Sequence, residues 1–323
     1  MNEKILIIGA CGQIGSELTY RLRDIYGDEN VVASDISYSN LEIANSGNFE
    51  IVDAQDYSSV KTCIEKHDID TVYLLAAMLS ATGEKYPMKA WDLNMNSLFH
   101  VLNLARAKFI KKVFWPSSIA VFGPTTPTEF TPQYTTMEPS TVYGITKQAG
   151  ERWCEYYHSK YNVDVRSLRY PGIISWKTLP GGGTTDYAVE IYHKAVTDKR
   201  YECFLKEGTQ MPMMFMDDAI KATVDIMKAK EKQVKIRSSY NLAAISFTPK
   251  EVAASIKKYI PDFEITYNPD YRQDIADSWP KSINDSYARE DWKWKHKFSL
   301  EAITEEMLFQ LNNTYNGVSK ESN

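Results

Sequence analysis

Hydrophobic positions along the 323 residues fall into short apolar runs separated by amphipathic stretches. Ile5-Leu6-Ile7-Ile8 is a strand-length run that stops at Gly9, after which Ile14, Leu18 and Leu22 recur at helical spacing. Val31-Val32-Ala33-Ser34 and Phe49-Glu50-Ile51-Val52 predict further strands, as do Thr71 to Leu75, Lys112 to Trp115 and Val163 to Leu168. Helices are predicted near Met88 to Ala107 and from Tyr143 to Tyr161. Strands alternating with helices predict an α/β fold built on a parallel sheet covered on both faces. The alternation breaks after residue 170, at Pro171-Gly172, a Leu179 to Gly183 loop, Pro212, and an irregular tract from Asn268 to Asp291. Helices near Thr184 to Val196, Asp217 to Lys228 and Pro249 to Tyr259, and strands near Tyr240 to Ala243 and Glu264 to Tyr267, belong to this second part. The expected division is therefore residues 1–170 as a nucleotide-binding domain and 171–323 as mainly a smaller C-terminal substrate-binding lobe, with return strands to the sheet allowed.

The turn after the first strand carries Gly9, Gly12 and Gly15. Glycines there let the backbone turn tightly and approach a pyrophosphate, while the following helix offers free amides and a partial positive charge. A Rossmann-type, doubly wound sheet is the expected frame. Asp35 ends the second strand twenty positions past Gly15, where a carboxylate accepts the adenosine ribose hydroxyls and repels a 2′-phosphate, so NAD is expected rather than NADP. Asp53, after the third strand, fits an adenine-edge contact or a plain turn. Cys11 stands between two of the glycines.

Tyr143 and Lys147 are spaced i, i+4 on one helix and share a face. A phenol titrating near 10 is a weak base at neutral pH, and lowering it by about three units takes roughly 4 kcal/mol, which Lys147 and a positively charged nicotinamide are expected to supply together. Ser117 and Ser118 follow the strand Val113-Phe114-Trp115 and so lie at the carboxyl rim of the sheet, where ligands of such folds bind.

Composition narrows the partners. A formal net charge of −5 and no basic cluster exclude nucleic acid as a main partner, and the longest apolar stretches are strand length, so no membrane span is expected. The first strand begins at Lys4 or Ile5, leaving no room for a signal peptide, and a cytoplasmic enzyme is expected. Cys11, Cys63, Cys154 and Cys203 lack Cys-x-x-Cys spacing and pair with no histidine, so neither a metal nor a disulfide framework is expected.

Gly9-x-x-Gly12-x-x-Gly15, Asp35, Asp53, Ser118-x-x-x-Phe122-Gly123 and Tyr143-x-x-x-Lys147 together resemble the extended short-chain dehydrogenases/reductases. Longer stretches are similar to the NAD-dependent L-threonine 3-dehydrogenases of that superfamily: Leu79-Ser80-Ala81-x-Gly83-Glu84, Pro116-Ser117-Ser118-Ile119-Ala120-Val121-Phe122-Gly123-Pro124, Arg169-Tyr170-Pro171-Gly172, Gly181 through Tyr187, and Asp277-Ser278-Trp279-Pro280. The resemblance implies metal-independent oxidation of L-threonine at its 3-hydroxyl to 2-amino-3-oxobutanoate with NADH formed, a step of threonine breakdown toward glycine or aminoacetone. It implies Ser118, rather than Ser117, with Tyr143 and Lys147 as the catalytic residues. Gly9, Cys11, Gly12, Gln13, Ile14, Gly15, Asp35, Asp53, Ala54, Leu75, Ala76, Ala77, Asn94, Tyr143, Lys147 and Ile173 are expected to line NAD. Ser80, Ser118, Tyr143, Thr184, Thr185 and Trp279 are expected at the substrate.

From the residues alone, Gly181 to Gly183 would offer backbone amides to a substrate carboxylate or form a merely flexible loop, and Trp279 would be a mobile cover or a core side chain. The resemblance also implies a homodimer packed through the Met88 to Ala107 and Tyr143 to Tyr161 helices. Two rivals stand beside this reading. Nucleotide-sugar epimerases and dehydratases share the catalytic trio but usually need a partly basic surface for a diphosphate, for which there is no convincing arginine set beyond scattered candidates such as Arg169 and Arg272. A nucleotide-sensing regulatory protein on the same fold would lack the tyrosine or the lysine.

Overall fold

In a computed structural model, which describes residues 3–181 and 183–321, twelve strands form in the order β1 (Ile5–Ile8), β2 (Val31–Asp35), β3 (Phe49–Ile51), β4 (Thr71–Leu74), β5 (Lys112–Ser118), β6 (Asp164–Tyr170), β7 (Gly172–Ile174), β8 (Arg200–Cys203), β9 (Met211–Phe215), β10 (Tyr240–Asn241), β11 (Ile245–Phe247) and β12 (Glu264–Tyr267). Gly182, part of the glycine run noted in the sequence, lies outside the described residues. Seven strands make one all-parallel sheet in the order β10-β6-β5-β4-β1-β2-β3. β1 and β4 are continuously apolar because both faces of the sheet are covered. Leu6 and Ile8 point into a core with Val72, Leu98, Val113 and Cys154, whereas Ile5 and Ile7 join Leu18, Phe114 and Leu168 on the other side.

Strand order reverses between β1 and β4, so the crevice at their carboxyl ends is the topological switch point of the sheet. Three segments meet there. The amides of Leu75 and Ala76 donate to the Ile8 carbonyl, and those of Gly9 and Ala10 donate to the Ser34 carbonyl.

The second half of the chain is less separate than its sequence pattern implies. β10, the remnant of the strand read over Tyr240 to Ala243, adds to the edge of the main sheet beside β6. The helix Met216–Lys228 packs on the helix Gln13–Tyr26. Strands β7, β9 and β11 form a second sheet and β8 pairs with β12, and only β12 among these is legible in the alternation. The C-terminal helix Leu300–Glu321, also unread, packs on the helix Tyr187–Thr197.

β5 also departs from expectation. It runs three residues past Trp115, through Ser118, paired with β6 up to Tyr170. Pro116 hides this, because a proline argues against a central strand. Here its carbonyl accepts a hydrogen bond from Lys147. The irregular tract is largely ordered, with helices over Arg272–Asp277 and Ser286–Trp292. Among the described residues no helix is long and apolar enough to cross a membrane.

The helix Val142–Tyr161 docks on the turn that follows β5, and Gly144 sets how closely. A Cβ at Gly144 would lie 2.1 Å from the Ala120 carbonyl oxygen. Gly144→Ala is therefore expected to destabilise the protein by about 1–3 kcal/mol through overpacking. A lowered urea midpoint at unchanged slope would show it, and an unchanged midpoint would mean the helix is not pinned here.

Candidate active site

The fingerprint turn is held by two glycines for the protein's own reasons and by a third for which the protein has no need. Gly9 has φ +92°, and a Cβ there would lie 2.5 Å from the Ala76 amide nitrogen; one on Gly15 would lie 2.1 Å from the Gly9 carbonyl oxygen. Gly12 is different. It is exposed, has an ordinary φ of −75°, and its missing Cβ would meet only the Gly9 oxygen, at 3.4 Å. The space beside Gly12 is thus open for a ligand to approach the backbone. The helix behind it starts with neither a side-chain cap nor an acid in its first turn, so its leading amides have no protein anion and suit a phosphate. Gln13, Ile14 and Cys11 flank this opening half-buried.

Asp35 accepts the Cys11 amide at 2.9 Å and the Ile36 amide at 2.8 Å, so its carboxylate lies against the glycine turn with lone pairs to spare. Asp53 accepts the Gln55 amide at 2.9 Å, the geometry of the plain turn reading. Ala54 is buried, and its carbonyl meets the His100 ring at 3.2 Å. Leu75, Ala76 and Ala77 form the half-buried rim after β4. Asn94 stands one step behind that rim: its Oδ1 accepts the Met78 amide, and its Nδ2 donates to the Met78 carbonyl and to Thr146. Its amide thereby ties the rim to the helix that carries Tyr143 and Lys147, with one Oδ1 lone pair remaining.

Tyr143 and Lys147 face β5, as their spacing requires. Thr141 caps the helix by accepting the Gly144 amide, and Glu84, on the short helix that begins at Ser80, accepts the Val142 amide at 2.8 Å, which brings half-buried Ser80 toward the same end. Lys147 is 2% exposed. Its Nζ donates to the Pro116 carbonyl at 2.7 Å and lies 4.5 Å from the centre of the Trp115 ring, which leaves ammonium donors for ribose hydroxyls. Ser118 ends β5 and accepts the Ala120 amide at 3.2 Å, keeping its own proton to donate. That hydroxyl meets the phenol of Tyr143. Ser117 points away and donates to Glu151 at 2.6 Å.

The electrostatics depart from the sequence expectation. Burial pushes the Tyr143 phenol up to about 12, only partly countered by Ser118, and burial pulls Lys147 down to about 7. Burial thus dominates, and a phenol held at about 12 is a weak base at neutral pH. Bringing it from about 12 to near 7 takes roughly 7 kcal/mol. One cation about 5 Å away supplies about 3 kcal/mol at an effective dielectric of about 20. Lys147 is already in place where the phenol stands at about 12, so a cation at the nicotinamide position would supply somewhat less than half of the difference.

The expected carboxylate-binding role of the glycine loop is not what its amides do. Those of Gly181 and Gly183 donate to Asp186 at 2.7 and 2.9 Å, so a side chain of the loop already holds them. Thr184 is buried, and Thr185 packs on Gly172 beside Ile173 of β7. Trp279 is 8% exposed and shares a core cluster against which Tyr143 packs. It also lines a 380 Å³ cavity with Thr209, Gln210 and Lys281. Sequence reasoning assigned no contact to Asp186 and did not pair Glu151 with Arg169. A second step of the i, i+4 stripe, from Lys147 to Glu151, was the available signal for the latter. Among the described residues no three His, Cys, Asp or Glu side chains gather to hold a metal ion, and all four cysteines are free thiols.

The sequence pattern of the NAD-dependent epimerase/dehydratase family matches residues 5–243. Over 308 residues the chain is 47% identical to an uncharacterized epimerase/dehydratase of Staphylococcus haemolyticus, covering 95% of this chain and 96% of that one. An L-threonine dehydrogenase of Cupriavidus necator in its holo form superposes with a TM-score of 0.93 at 56% identity, over 95% of this chain and 99% of that one. A monomeric L-threonine 3-dehydrogenase from a metagenome, in its apo form, does so with a TM-score of 0.91 at 48% identity, over 96% and 99%.

The phenol's state is directly testable. Ultraviolet difference titration of the wild type against Tyr143→Phe is expected to show no Tyr143 ionisation between about pH 6 and 10 in the free protein, because its value is raised to about 12. A cation beside the phenol favours phenolate, so saturating NAD is expected to move the step downward. A step near pH 7 without cofactor would refute the dominance of burial.

Proposed function

We infer the reaction from one premise: the chain belongs to the NAD-dependent epimerase/dehydratase family, and NAD is its cofactor. Within that family the reading best supported is oxidation of L-threonine at the 3-hydroxyl, giving 2-amino-3-oxobutanoate, NADH and a proton. The observation that carries it is the likeness, over nearly the whole chain, to two L-threonine dehydrogenases at 56% and 48% identity. The arginines agree. Arg169 is buried against Glu151, and Arg272 pairs with Asp270 while stacking on Phe204, so neither candidate is free for the diphosphate of a nucleotide sugar.

In this reading Tyr143 accepts the proton of the threonine hydroxyl while Ser118 donates a hydrogen bond to the same oxygen. Lys147 holds the nicotinamide ribose and adds positive charge beside the phenol. Bound NAD supplies the acceptor for hydride leaving the substrate β-carbon. Gly9, Gly12 and Gly15 admit the pyrophosphate, Asp35 receives the adenosine ribose, and Ser80, Thr184, Thr185 and Trp279 enclose the amino acid. Residues 1–170 mainly bind the cofactor and 171–323 mainly shape the substrate end.

NAD reduction with a panel of free amino acids tests this. L-Threonine is expected to exceed L-serine by roughly tenfold to two-hundredfold in kcat/KM, the worth of one methyl contact, and to exceed D-threonine. Tyr143→Phe is expected to remove most turnover while keeping cofactor binding. NADP is expected to substitute poorly, with Asp35→Ala narrowing the gap. Turnover of UDP-sugars without turnover of threonine would replace the reading by an epimerase-like one.

A homodimer is proposed through the helices Pro87–Arg106 and Val142–Tyr161, whose outer faces leave Met88, Trp91, Ile145, Trp153 and Tyr156 exposed. Light scattering is expected to give twice the chain mass, 74 kDa from 37.0 kDa. A single-chain mass at micromolar concentration would instead match the monomeric relative.

A further inference from the structure

Behind the catalytic trio lies a second set of side chains that touches none of the reacting atoms. Tyr143, Lys147 and Glu151 are spaced i, i+4, i+8, so Glu151 continues the stripe of the helix that faces the sheet. Its side chain is fully buried and Arg169, on β6, is 2% exposed. Arg169 grips the carboxylate bidentately, with Nε to Oε1 at 2.8 Å and Nη2 to Oε2 at 2.7 Å, and its Nη1 donates to the Gln133 carbonyl and to Asn241. Ser117 donates a third bond to the same Oε1 at 2.6 Å.

A buried ion pair is weak evidence for stability, because desolvating two charges offsets most of their attraction. Its geometry here points elsewhere. The pairing of β5 with β6 already sets the distance between those strands, so what the three bonds add is the position of the helix. They fasten it at Glu151, one turn from Lys147, to the strand residue that immediately precedes Ser118. We propose that Glu151 is a positioning residue of this site, its carboxylate clamped by Ser117 and Arg169 so that the Tyr143–Lys147 face of the helix stands at a fixed separation from Ser118. The assignment rests on the proposed dehydrogenase reading for the identity of the reaction, but not for the clamp.

Two variants separate positioning from folding. Ser117→Ala removes one bond and leaves the ion pair intact. Glu151→Leu with Arg169→Met removes both charges together, a replacement that buried pairs commonly tolerate, whereas either change alone strands a buried charge or donor set. Each is checked by circular dichroism, by NADH affinity from fluorescence, and by kcat and KM. The expected result is a kcat lower by about tenfold for Ser117→Ala and up to about a hundredfold for the double variant, the scale of a sub-ångström to 1 Å misplacement, with NADH affinity within about twofold of wild type. Retention of kcat within about twofold in folded variants would overturn the proposal. A parallel loss of kcat, NADH affinity and thermal stability would also overturn it, showing general structural damage. If the double variant does not fold, Ser117→Ala decides. Wild-type protein that oxidises a different alcohol would refute the threonine reading alone, and the same variant ratios would then be measured on that alcohol.

Discussion

Burial of the Lys147 ammonium is the constraint around which the catalytic end of the molecule is arranged. A charge removed from water needs a hydrogen-bond acceptor and a polarisable wall, or it loses its proton. The protein meets this in part, with the Pro116 carbonyl and the Trp115 ring, and leaves Lys147 with a value near 7. The donors left over are those that the proposed reading assigns to the nicotinamide ribose. In the proposed reading, cofactor binding would lower the phenol by adding a cation beside it. In the free protein burial holds the Tyr143 phenol up at about 12, which favours its protonated form at neutral pH.

The second organising feature is the convergence of three strand ends at the switch point of the sheet. Gly9 is pressed so closely against Ala76, and Gly15 against Gly9, that side chains are forbidden there by the fold itself. Gly12 is not so constrained. A position where glycine is unnecessary for packing, beside uncapped helix amides, is better evidence for an anionic ligand than the spacing of the three glycines. Asn94 and Thr146 join this half of the site to the other, linking the rim after β4 to the helix that carries Tyr143 and Lys147.

Much of this was legible in the chain. The apolar runs of β1, β2, β4 and β6, the glycine turn, Asp35, and the i, i+4 pair each have a local physical signature that survives without tertiary context. The misses have local causes too. Pro116 concealed the end of β5, short half-buried strands such as β7 and β11 are too brief to show a period, and the glycine run suggested free amides when a carboxylate three to five residues away already held them. Trp279 sat in a tract without periodicity because its order comes from packing on a distant cluster rather than from its neighbours.

Alternation of strand and helix, the turn chemistry, and residues at fixed helical spacing are set by backbone periodicity within a few positions, and so the sequence by itself determined the parallel sheet, the dinucleotide turn and which face of the helix carries the phenol and the amine. Tertiary structure alone decided the rest. It turned the Ser117 hydroxyl toward Glu151, and it reversed the expected direction of the Tyr143 shift by burying the phenol. Both outcomes depend on desolvation and on partners far away in the chain, quantities that no local pattern encodes.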